Sequence, residues 1–311
     1  MLPPRILSLV PSATDWVTAL GFADAVVGMT HECALPPGEP RPGGDGRHVP
    51  VVVRPAVHHD PTDPAGVDAA VTAAARGLRP LYDLDEELVR ELAPTVIVTQ
   101  QLCDVCAVSA STVHRAAAAM SGAAVVNMTG VTLEGVLGDG LALGAALGTD
   151  DRAHALVASL RARLGAVAAA VADAPRPSVA FLEWTDPAWI GGHWVPDQIA
   201  AAGGSCAVGV SGEPSRRGDL RDLAGADVLI VGPCGYDLDE AHAAAGALGE
   251  RLPDAAQVWA VDAQRSWSRP APWLVDGVEA LAGVLHPAFH RPPDRLHARR
   301  LVPAAGEQAR A

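Results

Sequence analysis

Five cysteines, a few histidines and one glutamate carry most of the metal-binding chemistry this chain can offer, and they fall in a pattern. Cys103 and Cys106 are spaced C-x-x-C directly after the β-branched run Pro94–Thr99. His31-Glu32-Cys33 follows the run Ala25–Thr30, Glu183 follows Ser178–Leu182, and Cys234 follows Asp227–Val231. His193 sits in Gly191-Gly192-His193-Trp194-Val195-Pro196, ahead of a short predicted helix over Asp197–Ala202. A mixed thiolate, imidazole and carboxylate set suits zinc, ferrous iron, cobalt or copper, and suits magnesium or calcium poorly. The C-x-x-C pair alone has three readings: ligands of one soft metal, a redox pair, or buried small residues. The candidate metal ligands are thus His31, Cys33, Cys103, Cys106, His193 and Cys234. Cys206, after Gly203-Gly204, reads as a core filler, and His58, His59, His286 and His297 as solvated surface residues.

Three tryptophans, Trp184, Trp194 and Trp267, occupy the same turns. Broad apolar faces of that kind line a pocket for a large flat ligand, or else roof a core. Glu183 and Arg269, in the same turns, complete a candidate ligand-holding set. Phosphate-cradling glycine loops and a G-x-S-x-G elbow are absent from the sequence.

What positions these residues is a succession of short apolar strands and helices. Buried runs such as Thr95–Thr99 read as parallel strands, and ligands of open α/β sheets bind beyond the strands' carboxyl ends. The pattern predicts an α/β protein of two lobes, each with a mainly parallel sheet: an N-terminal lobe over residues 1–130 and a C-terminal lobe over 175–290. Between them, residues 131–174 are rich in Ala, Leu and Val with spacing near the helical period, predicting one or two helices of about 40 residues in total. Residues 291–311 read as a basic, frayed tail. Ala34–Pro64 reads as a long loop carrying one apolar patch at Val49–Val53. Ser12 and Asp15 stand in capping-box spacing ahead of a helix, and Asp83 or Asp85 enters the helix at Leu84–Leu92.

The 311-residue chain is 49% hydrophobic, enough for two cores, and carries a formal charge of −13. That balance argues against nucleic acid as a partner, because phosphate binding needs a basic face. No apolar run is long enough for a membrane span. The first ten residues lack a basic n-region, a sustained apolar stretch and a cleavage site, which predicts a cytoplasmic protein with its cysteines as thiols; removal of a signal would make it periplasmic or extracellular. A monomer or dimer is expected.

Arg5-Ile6-Leu7-Ser8-Leu9-Val10-Pro11-Ser12-Ala13-Thr14, the helix end at Leu20-Gly21 and the strand Val27-Gly28-Met29-Thr30 resemble the opening of periplasmic binding proteins for cobalamin and iron–siderophore chelates. Thr30–Cys33, Leu102–Ala107, Glu183–Pro187, Gly192–Pro196 and Pro233–Gly235 look like a subgroup labelled cobalamin-binding or ABC-transporter substrate-binding proteins, whose members often lack a signal peptide. The resemblance covers about residues 5–287. It implies two α/β lobes joined by a long backbone helix, with a ligand cleft between them. It further implies a binding protein rather than an enzyme, with cobalamin, another corrinoid or a metal chelate as ligand, and an ABC permease as partner if the chain is exported. The density of donors suggests an alternative: one transition metal (Zn, Fe, Co or Cu) held directly by Cys, His and Glu. An open coordination position would then allow metal-dependent catalysis. A thiol redox protein using Cys103 and Cys106 is the third reading.

Overall fold

The structure is a computed structural model that describes residues 3–33, 35, 49–56, 63–76, 82–100, 122–255, 257–293 and 297–301. Cys103 and Cys106, and His58 and His59, lie outside the described residues. The chain divides into two units, one of Met1–Gly130, Glu134–Leu160 and Pro270–Pro272, the other of Val131–Leu133, Arg161–Arg269 and Trp273–Ala311.

In the first unit, six strands build one sheet: β1 (Ile6–Ser8), β2 (Val26–Thr30), β3 (Val51–Pro55), β4 (Tyr82–Leu84), β5 (Val96–Gln100) and β6 (Ala124–Met128). Their order is β4-β3-β2-β1-β5-β6. Every neighbouring pair is parallel except β3 with β4. Central strands with both faces covered have to be apolar on both faces, and Leu7, Leu9, Val52, Val53 and Ile97 form the core with Val89. The valine patch expected inside a loop is therefore strand β3. Valine side chains fit a pleated surface, and β3 pairs with β2 through Met29 and Val51.

Helix α1 (Pro11–Ala19) begins at its proline, and no side chain caps it. A proline at the first turn has no N–H to satisfy and has φ preset, so the expected Ser12–Asp15 capping box does not form. Ser12 instead donates its hydroxyl to Gln100 Oε1 at 3.2 Å. Helix α2 (Pro64–Ala75) and helix α3 (Glu86–Leu92) follow, the second capped by Asp85, which accepts from the Leu88 N–H at 3.0 Å.

The long helical stretch is two helices, α4 (Leu133–Ala146) and α5 (Asp150–Ala170), separated where Gly148 takes φ +67°. Residues of α5 up to Leu160 belong to the first unit and those from Arg161 to the second. Gly140 of α4 faces Trp16, which is fully buried and donates Nε1–H to the Pro270 carbonyl at 3.0 Å.

The second unit holds β7 (Ser178–Thr185), β8 (Ala188–Ile190), β9 (Ser205–Cys206), β10 (Arg216–Arg217), β11 (Val228–Val231), β12 (Gln257–Val261) and β13 (Ala298–Arg300). The order is β10-β8-β7-β11-β12-β13, with β9 added beside β7. The centre, β7-β11-β12, is parallel, and β8, β10 and β13 are antiparallel additions. Strand β7 runs three residues past the expected Leu182, because Trp184 and Thr185 pair with Trp189 and Ala188 across a tight hairpin at Asp186-Pro187. Ala298–Arg300, expected in a frayed tail, pairs with Trp259–Val261. Ladder hydrogen bonds hold that segment despite its charge.

Helices α6 (Val195–Ala201), α7 (Leu238–Leu248), α8 (Ala263–Ser266) and α9 (Leu274–Leu285) complete the unit. Arg163 of α5 ties to Asp276 and Glu279 of α9 at 2.7 and 2.6 Å, and this pairing raises its guanidinium above the usual arginine range. His286, expected at the surface, is 4% exposed, with Nε2 3.2 Å from the Gly203 carbonyl. Among the described residues, no helix is long and apolar enough to cross a membrane.

A methyl group added at Gly140 would land on the six-membered ring of Trp16. Gly140→Ala is expected to destabilise the protein despite the helix propensity it gains, overpacking costing about 1–3 kcal/mol against a gain of about 1 kcal/mol. Urea unfolding followed by tryptophan fluorescence measures the difference.

Candidate functional site

In the first unit, β2 and β5 lie on either side of β1 and run parallel to it, so all three present their carboxyl ends at one edge. His31 and Glu32 stand exposed there, His31 Nδ1 lying 3.3 Å from the Val53 carbonyl and Nε2 3.9 Å from Glu32 Oε1. Cys33 is half-buried. Its Sγ accepts the Thr14 hydroxyl at 2.9 Å and lies 3.4 Å from Thr30 Oγ1. Thr14 in turn is 2.8 Å from the Ser8 hydroxyl. Gln100, the end of β5, leaves the same edge just before the C-x-x-C segment.

The second unit gathers more. Glu183 points from the far end of β7, its backbone carbonyl accepting the Cys234 N–H at 3.0 Å. Its Oε2 accepts the Ser215 hydroxyl at 2.7 Å. Ser215 Oγ also accepts the Gly192 N–H at 3.1 Å and lies 3.5 Å from His193 Nδ1. His193 is fixed through its backbone, which donates N–H to the Glu213 carbonyl at 2.6 Å and accepts from the Gly212 N–H at 2.9 Å. A Cβ at Gly192 would strike the Glu213 carbonyl, so glycine is what lets these two loops lie against each other.

Half burial disfavours the imidazolium, and His193 is held below the ordinary histidine pKa by desolvation. At neutral pH it is an uncharged nitrogen base. Neutral imidazole is the form that binds metal ions.

The tryptophans divide. Trp194 and Trp267 are 5% and 3% exposed. Trp194 Nε1–H donates to the Trp267 carbonyl at 2.6 Å, and Trp267 packs against Phe181 at 4.9 Å between ring centroids. Both are core members that anchor the His193 loop. Trp184 is half-buried and meets Tyr236 edge-on at 5.3 Å. Arg269 is half-buried and Cys234 exposed. Cys206 donates Sγ–H to the Val208 carbonyl at 2.8 Å, and burial pushes its thiol pKa up.

Among the described residues, no three His, Cys, Asp or Glu side chains are grouped so as to hold a metal ion. Ser215 joins Glu183 to His193, and Tyr236 packs edge-on against Trp184; neither residue is a candidate from the sequence. Serine before the two-arginine strand β10 carries no motif, whereas Tyr236 in Gly232-Pro233-Cys234-Gly235-Tyr236 shares a turn already singled out.

Against solved structures, the chain matches a periplasmic heme binding protein from Pseudomonas aeruginosa over 97% of its length and 96% of that chain, with 19% identity and a TM-score of 0.61. The fold is that of the periplasmic binding proteins. A periplasmic vitamin B12 binding protein from Vibrio cholerae matches over 91% of this chain and 97% of its own, at 17% identity and TM-score 0.58. An ABC-type Fe3+-hydroxamate transport system protein from Saccharomonospora viridis matches over 91% and 94%, at 22% identity and TM-score 0.58. No protein-family profile and no curated protein sequence matches the chain. Periplasmic neighbours lend the cytoplasmic expectation no support.

The depressed pKa of His193 fixes the sign of a pH effect. Between its folded value and the ordinary one, the unfolded chain binds the proton and the folded chain does not, so stability rises with pH across that window. An NMR titration of the His193 ring should give a midpoint below that of an exposed histidine. Urea unfolding should show His193→Gln reducing the stability lost between pH 7 and pH 5.

Proposed function

We propose that this chain is a binding protein for a metal chelate with an open axial position, a cobalamin or other corrinoid or a heme, held at the carboxyl edge of the second sheet. The observation that carries this reading is His193: a neutral, half-buried imidazole at the edge where β7 and β11 end. A chelate brings its own equatorial donors and asks the protein for one axial nitrogen. His193 Nε2 is that donor, and the Trp184–Tyr236 pair adds aromatic surface where β7 and β11 end. Glu183 acts through hydrogen bonds, and Arg269 is the cation this reading assigns to acidic substituents on the ligand. The structural neighbours named as heme-binding and vitamin B12 binding proteins, and one from an Fe3+-hydroxamate transport system, support a metal chelate as the ligand class. In an exported form, an ABC permease is the partner to which the chelate is delivered.

A second reading, direct coordination of a transition metal, is favoured by one feature of the first unit. Cys33, anchored by Thr14, stands at the sheet edge where β5 ends at Gln100, three residues before Cys103 in sequence.

Titration of the purified full chain with hemin and with hydroxocobalamin separates the two. The chelate reading expects a shifted absorption spectrum with one of them, weakened about tenfold or more in His193→Ala and unchanged in Cys103→Ser/Cys106→Ser. Direct coordination expects about one zinc, iron, cobalt or copper per chain by elemental analysis, in line with a closed thiolate site, lost in the double cysteine variant. Neither spectral change nor bound metal would sink both.

A further inference from the structure

The geometry points to Glu183 and Ser215 as positioning residues that fix the tautomer of His193, with Nδ1 protonated and the Nε2 lone pair left for a ligand. Counting protons gives the reason. A serine hydroxyl has one proton to donate and two lone pairs to accept with. Ser215 gives its proton to Glu183 Oε2 at 2.7 Å, the short, charge-assisted bond of the group. One lone pair takes the Gly192 N–H at 3.1 Å. The remaining lone pair faces His193 Nδ1 at 3.5 Å. With the serine proton committed to the carboxylate, this contact is favourable only if Nδ1 carries the hydrogen.

The backbone clamps on His193, to Glu213 and Gly212, hold the histidine turn against the loop that carries Ser215. The same count argues against a Ser–His–carboxylate hydrolase. In that arrangement the carboxylate bonds to the imidazole and the serine donates to it, whereas here the carboxylate takes the serine proton. Metal-binding histidines are oriented by a partner on the nitrogen that does not bind, and a serine backed by a carboxylate fills that place. The consequence for Nε2 rests on the chelate reading; the tautomer does not.

The test uses ligand-free full-length protein with 15N-labelled histidine. His193 should show a protonated Nδ1 and an unprotonated Nε2 at pH 8. In Glu183→Gln the side-chain amide can donate to Ser215, releasing the serine proton to Nδ1, so the tautomer should reverse. Ser215→Ala should lose the Nδ1–H preference and Ser215→Thr should keep it. Hemin or hydroxocobalamin affinity should fall about 10- to 100-fold in Glu183→Gln. An Nε2–H tautomer in the unmodified protein, or an unchanged tautomer in Glu183→Gln that still unfolds cooperatively, overturns the inference. Tautomers that behave as expected while neither hemin nor hydroxocobalamin binds support the positioning role and overturn the chelate reading instead.

Discussion

Parallel pairing of β11 with both β7 and β12 sets the conditions for everything else in the second unit. Val228, Leu229, Ile230 and Val231 are buried, each matched in register by residues of both neighbours. Buried backbone groups must find partners, and here the ladder supplies them along the whole strand. Side chains in that layer have no room for unpaired polarity. Polar chemistry is confined to where the strands run out, and Glu183, Cys234 and Asp262 stand there. The Cys234 N–H bonded to the Glu183 carbonyl is a late contact between β7 and the segment leaving β11, made as the ladder ends.

From that edge the site is assembled by contacts of short reach. Glu183 holds Ser215, Ser215 meets the Gly192–His193 turn, and the turn is carried by Trp194 and Trp267. Gln198, completely buried, donates to the carbonyls of Ser266 and Leu274 and so secures α6 beneath it. The segments at 183, 193, 215 and 267 are distant in sequence yet rigidly related, which suits a single well-aimed nitrogen better than an adaptable surface. Solved structures with this fold are named for different chelates, so the fold by itself selects none of them.

Much of this was legible in the chain. Short β-branched runs announce the strands, and their carboxyl ends mark where Glu183 and Cys234 fall, because a buried strand has to be apolar throughout. What was not legible depends on partners distant in sequence. Ser215 is an ordinary loop serine until Glu183 is brought within 2.7 Å. Trp194 and Trp267 offer the same residue type as Trp184, and only packing decides that two are core and one is partly open. Val51–Val53 and Ala298–Arg300 are strands by virtue of neighbours already in place. Helix α7 did carry a local sign, since Asp237 and Glu240 form the reciprocal cap their spacing suggests. Ser12 and Asp15 carried the same sign, and Pro11 overrode it.

His193 has φ +49°, in the left-handed region. A side chain there costs of order 1 kcal/mol relative to glycine, and glycine already precedes it twice. A residue needed only to turn the chain would be more stable as a third glycine. The loop carries that cost at His193, as the end of helix α3 carries it at Ala93 with φ +42°. A left-handed residue of this kind persists where its surroundings over-determine the backbone, as the Glu213 and Gly212 contacts do here.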